Sequence, residues 1–231
     1  MPIPHASATA PQRRLLREEA YEAIREAILD GTLALGERLD DQKLQDWLHI
    51  SRTPIRDALN QLARDGLVVI RAQSHTSVIE PDPHRAAEIV QTLGTVMGGV
   101  IRITLPAATT DERGWMLRFV DRAMRAVERQ SVQEHIQTIF AFYDFLIERC
   151  PNPTLQDLAR TTSRSFAFQI RIHPRIRITD WTVPRGIWPR LAKAIEDMDL
   201  VAAQLAFQDL HSLPTTAEEP TRFFWDHGER E

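Results

Sequence analysis

Nine consecutive residues constrain this chain more than any other stretch: Ser51-Arg52-Thr53-Pro54-Ile55-Arg56-Asp57-Ala58-Leu59. Ser51 or Thr53 can cap a helix, and Pro54 suits its first turn, where an amide hydrogen has no intrahelical acceptor. Steps of 100° per residue put Ile55, Ala58, Leu59 and Leu62 on one side. Arg52, Arg56 and Asn60 share another arc, with Thr53 beside them. One face of such a helix packs. The other carries planar guanidinium groups that donate two bonds to a guanine edge or clamp phosphate. Periodicity alone also allows a merely solvated polar face.

The flanking segments turn this helix into part of a larger unit. Tyr21, Ile24 and Ile28 recur at helical spacing, and Gly31 supplies a stop. Asp40 can cap a second helix, whose Leu44, Trp47 and Leu48 share a face, and a break at His49 and Ile50 precedes the third. Asp65-Gly66 ends the third helix. Leu67–Ile70 and Ser77–Ile79 are β-prone runs around an Ala72-Gln73-Ser74-His75 tip, which predicts a hairpin. Three short helices followed by a two-stranded wing form a DNA-binding arrangement. We assign residues 13–80 to a winged helix-turn-helix, 1–12 to a disordered tail and 81–83, the Pro81-Asp82-Pro83 break, to a linker. Helices are expected near 84–104, 111–129, 131–149, 153–172, 184–197 and 199–212, an antiparallel all-α bundle over 84–213 with a C-terminal tail at 214–231. The fold class is therefore mainly α.

Bulk charge does not announce a nucleic-acid partner: the net charge of the 231 residues is −4, and residues 1–80 are themselves slightly acidic. Placement has to compensate. Between Ser51 and Arg71 stand Arg52, Arg56, Arg64 and Arg71 against Asp57 and Asp65, so a surface presenting only that stretch meets phosphate with positive charge. No apolar run approaches the roughly 20 residues of a membrane helix. Met1 to Gln12 has no apolar segment behind a positive start, so a cytoplasmic protein with no membrane partner is expected. Cys150 is the only cysteine, which excludes an intrachain disulfide and reads as a small buried hydrophobe.

The span Tyr21 to Val78 resembles the GntR family of winged-helix regulators. The resemblance rests on the nine-residue run, on Leu62 and Gly66-Leu67-Val68 behind it, and on Gly31 and Gly36 as turn residues. It implies that Arg52, Thr53 and Arg56 contact operator DNA, with Ser51 positioning the backbone through phosphate. The sequence departs from the family where an arginine usually helps read the operator and Gln42 stands instead. Gln42 can pair with adenine, and Lys43 beside it can contact phosphate. His75 stands where a wing glycine is common and either reaches DNA or contacts nothing.

The helical remainder resembles the FCD domain of FadR-type members, through Phe142-Tyr143 to Leu155 and through Ala194 to Asp199 with Ala203 and Phe207. That resemblance implies a homodimer on a short palindromic operator, more often repressor than activator, with a small organic effector inside the bundle. Many FCD domains also hold a divalent metal. Here the ligand positions fall on Ile139, Tyr143, Trp188 and Leu210, a set unsuited to a transition metal, so a metal-free, less polar pocket without cofactor is expected. Tyr143, Trp188, Arg164 and Arg102 are the candidate effector residues: the aromatics as walls, an arginine for a carboxylate. Leu93 stands near the place of a common first-helix arginine, and Gly98-Gly99 follow, either for close packing or for ligand room.

His135, His173 and His211 are the candidates for a rebuilt metal site. His211, adjacent to Leu210, should point about 100° away from the pocket that Leu210 faces. Phe223-Phe224-Trp225 is an apolar cluster expected to dock on its own bundle or on a partner. Two other functions stay open. One is a DNA-binding dimer that has lost effector sensing, its pocket filled by Tyr143 and Trp188. The other is a helical-bundle enzyme, for which no paired Glu-x-x-His motif, nucleotide-binding glycine motif or nucleophile–base pair stands out.

Overall fold

Ala20, Ile24, Ala27 and Ile28 are all buried on one face of the first helix, α1 (Ala10–Leu29), and that stripe seats on the third helix. The computed structural model describes residues 10–71, 75–80, 82, 85–172 and 178–214. The chain divides into two compact units, residues 1–80 and 81–231. In the first, α1 begins at Ala10, so it takes three residues from the expected tail. Gly31, at φ 84°, occupies the left-handed region just after its end, and Asp30 Oδ1 accepts from Thr32 N at 2.8 Å. A two-residue strand β1 (Arg38–Leu39) leads to Asp40, the N-cap of α2 (Asp41–Leu48). Asp40 Oδ1 accepts from the amides of Gln42 and Lys43 at 2.9 and 3.0 Å, and those bonds, the Lys43 one first, hold its carboxyl below the usual range.

After the turn at His49 (φ 56°), α3 (Arg52–Arg64) buries Ile55, Ala58, Leu59 and Leu62, the stripe read from sequence. Ser51 is its N-cap by backbone conformation, without a side-chain cap bond. Gly66, at φ 71°, closes the helix, with Leu67 N bonding Leu62 O and Gly66 N bonding Ala63 O. Tyr21 Oη donates to Asp65 Oδ2 at 2.7 Å and so ties α1 to the end of α3; burial and this bond push the phenol up to about 12. Strands β2 (Val68–Ile70) and β3 (Thr76–Val78) pair antiparallel, Val68 opposite Val78 and Ile70 opposite Thr76. The wing gains a third strand that the sequence did not announce. β1 pairs with β3, Arg38 opposite Ser77, giving the order β1-β3-β2. Two residues carry no legible period. Trp47, grouped by sequence with Leu44 and Leu48, remains 48% exposed.

The second unit is helical. It comprises α4 (Ala86–Thr104), a 3₁₀ turn at Leu105–Ala107, α5 (Thr110–Glu128), α6 (Val132–Glu148), α7 (Pro153–Ile172), α8 (Thr182–Glu196) and α9 (Leu200–Asp209). It is an antiparallel bundle in which α4 packs on α9, α7 and α6, while α5 packs on α6 and α8. Thr109 and Glu112 form a reciprocal capping box at α5, Ser131 caps α6 and Asp199 caps α9. Helix α8 starts at Thr182, two residues before the expected position, because Pro184 is tolerated inside a first turn. By length and composition Ala86–Ala107, 22 residues with an 18-residue stretch of mean hydropathy 1.3, is apolar enough to cross a membrane, contrary to the sequence expectation. Ile89, Leu93, Met97, Val100 and Ile101 spend that apolarity in the bundle core, as does Cys150. The Phe223-Phe224-Trp225 cluster, His173 and Ser74 lie outside the described residues.

Candidate functional site

In the first unit the polar arc of α3 faces the wing. Arg52, Arg56 and Asn60 line one open groove with Arg38 of β1, Arg71 and His75 of the hairpin, and Asp40 and Asp41 at the start of α2. Arg52 Nε lies 3.2 Å from Asp41 Oδ2, with the guanidinium largely exposed. An exposed pair of this kind contributes at most about 1 kcal/mol, so a phosphate or guanine displaces it readily. The groove therefore gathers four arginines against two carboxylates, which resolves the mismatch between an acidic unit and a polyanionic partner.

Of the predicted DNA contacts, Arg52, Arg56 and His75 share this groove. Ser51 and Thr53 are exposed at the head of α3, and Gln42 and Lys43 on the first turn of α2, all outside the groove lining. Gln42 Nε2 donates to Asp46 Oδ1 at 2.9 Å. Arg38 was missed, and the only available signal was its place two residues before the Asp40 cap, since a two-residue strand leaves no pattern.

In the second unit, α4, α6, α7 and the end of α9 line a half-open cavity with about 70 Å³ open to the centre of a water molecule. Val90, Leu93, Ile136, Ile139, Phe140, Ile170, Ile178 and Leu210 wall it, and His135, Tyr143 and His211 are its polar members. Three of the four positions at which the sequence resemblance placed metal ligands, Ile139, Tyr143 and Leu210, thus line one space. The fourth, Trp188, stands behind the wall, fully buried, and donates from Nε1 to His135 Nε2 at 3.0 Å.

The predicted arginines are not brought to this cavity. Arg102 is exposed and donates to Gln204 Oε1 at 3.1 Å, and Arg164 lines a separate groove with Asp144, Glu148 and Arg160. Among the described residues no three of His, Cys, Asp and Glu converge as metal ligands.

The expectation for His211 is corrected: it joins Leu210 in the cavity wall. The regular helix stops at Asp209, and the last turn tightens, His211 N bonding Gln208 O at 2.9 Å. Ser212, at φ 56°, then lets Leu213 N reach back to Gln208 O. Within that turn His211 Nδ1 lies 2.6 Å from Phe207 O, and its Nε2 meets Tyr143 Oη of α6. The chain comes this close only because residue 94 is glycine: a Cβ there would stand 2.3 Å from His211 Cβ and 2.5 Å from Leu213 Cδ1. Gly94→Ala is expected to cost about 1–3 kcal/mol and to push His211 off Tyr143; an unchanged urea midpoint would contradict this. Of the glycine pair, Gly98 serves packing against Gln208, while Gly99 has open space before it.

Burial pushes the imidazoles of both His135 and His211 down to about 4, and for His135 the proximity of His211 adds to the effect. Each binds a proton more weakly in the folded chain than at its ordinary value of 6.5. The unfolded chain then holds more protons between these limits, so their contribution is complete above pH 6.5 and is lost as pH falls toward 4. One such histidine corresponds to roughly 3 kcal/mol. Urea midpoints for the helical unit should drop steeply between pH 7 and 4.5, and a flat profile would refute the buried neutral pair.

Residues 16–78 match the family model for bacterial regulatory proteins of the gntR family. The HTH-type transcriptional regulator Mce2R of Mycobacterium tuberculosis is 33% identical over 224 residues, covering 89% of this chain and 92% of that one. The chain belongs to the GntR family. It is a DNA-binding transcriptional regulator, and the relatives are regulators rather than enzymes. With an HTH-type regulator of Streptomyces ambofaciens the match is 35% over 75 residues, only 32% of either chain. McbR/YncC of E. coli shares the fold of this GntR regulator at a TM-score of 0.57 and 15% identity, covering 85% of this chain and 93% of that one. A putative GntR regulator from Rhodococcus does so at 0.54 and 20%, covering 84% and 95%.

Proposed function

We propose that this GntR regulator acts in the cytoplasm as a homodimeric repressor of the FadR type. Residues 13–80 bind one half-site of a short palindromic operator, and residues 84–213 dimerise and bind a small organic effector without a metal. The observation that carries the DNA part is the gathering of Arg52, Arg56, Asn60 and Arg38 in one groove of the winged unit. Arg52 and Arg56 read base edges or clamp phosphate, Ser51 and Thr53 hold the backbone, and Gln42, Lys43 and His75 contact DNA at the margins. Two copies related by a two-fold axis address two half-sites. The apolar cavity at Tyr143 supports effector sensing over a filled, unresponsive bundle. Its ligand acts by binding the DNA-free dimer more tightly than the DNA-bound one, which lowers operator affinity by the same coupling.

The test is selection of bound duplexes from a randomised pool by the purified protein. Enrichment of a short palindrome is expected. No enrichment at either low or moderate salt would overturn the proposal.

A further inference from the structure

Helix α5 has two unlike faces. Met116, Val120, Ala123 and Val127 are buried on one. On the other, steps of 100° per residue bring Trp115, Arg118, Arg122, Arg125 and the C-cap Arg129 into one stripe. All five are exposed, Trp115 by 50%. From Arg118 to Arg129 the stripe runs roughly 16 Å along the helix axis. The one acid in line with it is Asp111, a turn ahead of Trp115. Asp121 and Glu128 lie on one flank, about 80–100° round the helix.

The charge of this stripe is not cancelled within the unit. Arg129 pairs with Glu134 of α6. Arg118 lies over the Trp115 ring, its Cζ 4.3 Å from the centroid, which holds the guanidinium without neutralising it. Among the described residues Arg118, Arg122 and Arg125 have no carboxylate in ion-pair range. Arg85, Arg149, Arg160 and Arg190 of the same unit do, meeting Glu88, Glu112, Asp157 and Asp209. Arg56 of α3 is, like the three on α5, without such a partner among the described residues. A chain of net charge −4 thus keeps three neighbouring positive side chains uncompensated on one helix face. Like charges three or four residues apart repel and weaken a helix, and an anion covering them relieves it.

We propose that this face of α5 is a second contact with DNA, made to the phosphate backbone and blind to sequence. The occupant follows from charge. A polyanion releases counterions when guanidinium groups cover its phosphates, and duplex DNA is the polyanion that this regulator binds. The two units belong to one chain. A duplex held by the winged unit is therefore presented to the bundle at an effective concentration set by the linker. The contact needs only a DNA-binding chain; it depends neither on the recognition-helix assignment nor on effector sensing.

The full-length protein tests this on a duplex of unrelated sequence, in three forms. These are wild type, the triple variant Arg118→Gln/Arg122→Gln/Arg125→Gln, and the same three positions changed to Lys. All three side chains are exposed, so thermal melts should coincide. The Gln variant should bind at least ~tenfold more weakly at low salt, and its plot of log affinity against log salt should be shallower by about 2–3 per bound protomer, since each phosphate contact contributes about 0.9. The Lys variant keeps the charges and should keep the slope. Wild-type affinity and slope in the Gln variant would overturn the inference, and so would a Lys variant that loses as much as the Gln variant. A Gln variant that matches wild type on DNA but no longer binds vesicles of phosphatidylglycerol and phosphatidylcholine would assign the face to a membrane instead. Duplex selection separates this contact from the winged unit. If an operator is enriched and the Gln variant binds unrelated DNA like wild type, the winged unit stands and this inference falls. If no operator is enriched and the Gln variant loses its slope, the α5 contact stands and the recognition-helix assignment falls.

Discussion

Arg52→Ala and Arg56→Ala are each expected to weaken binding to the selected operator at least ~30-fold at fixed salt. A bidentate arginine–guanine pair contributes about 1–3 kcal/mol, and a dimer loses two of them. Both side chains are exposed on the polar arc of α3, and Ile55, Ala58, Leu59 and Leu62 hold the helix from its other face. The fold should therefore lose no more than ~0.5 kcal/mol. The pair with Asp41 does not alter this, because an exposed ion pair contributes at most about 1 kcal/mol. Fluorescence anisotropy with a labelled duplex, beside a thermal melt, reads both quantities. Wild-type affinity in both variants would remove the recognition-helix assignment. If either arginine only clamps phosphate, its variant should lose affinity evenly across sequences and show a shallower salt dependence.

Trp188→Ala is expected to destabilise the helical unit by about 3–5 kcal/mol, from lost transfer energy and the hole left in a packed core. Trp188 is fully buried and its ring meets His135 edge-on at 5.8 Å. Trp188→Phe keeps most of the apolar bulk and removes only the donor, leaving His135 Nε2 without its partner, at a cost of about 1–3 kcal/mol. Urea denaturation of the two variants separates packing from hydrogen bonding. Equal loss in both would mean that the indole N–H carries nearly all the effect. No loss in Trp188→Phe would mean that the bond from Trp188 Nε1 to His135 Nε2 does not hold the imidazole in place.

Most of the architecture was legible because it rests on local signals. The apolar stripe of α3, the Asp40 cap, the Gly66 stop and the prolines of the second unit all act within a few residues. The ends of helices were less secure: Pro184 inside a first turn and Ala10 before the expected start both moved a boundary by two or three residues. In the site, Arg52 and Arg56 were legible because one helix face carries both. Arg38 was not, since it reaches the groove only through β1 pairing with β3, a contact between residues 39 positions apart.

Local sequence was enough for the two-unit plan, for the opposed faces of α3, and for the expectation that Ile139, Tyr143, Trp188 and Leu210 make a metal-free pocket. What stands around those four residues depends on packing between segments far apart in the chain. That packing put Arg102 and Arg164 elsewhere, moved Trp188 behind the wall, and turned His211 in beside Leu210. The physical reason is that helical periodicity predicts direction only while the helix lasts. Beyond Asp209 the tightened turn, the Ser212 backbone and the missing Cβ at Gly94 set the course of the chain, and a hydrogen bond to Tyr143 far away in sequence completes it.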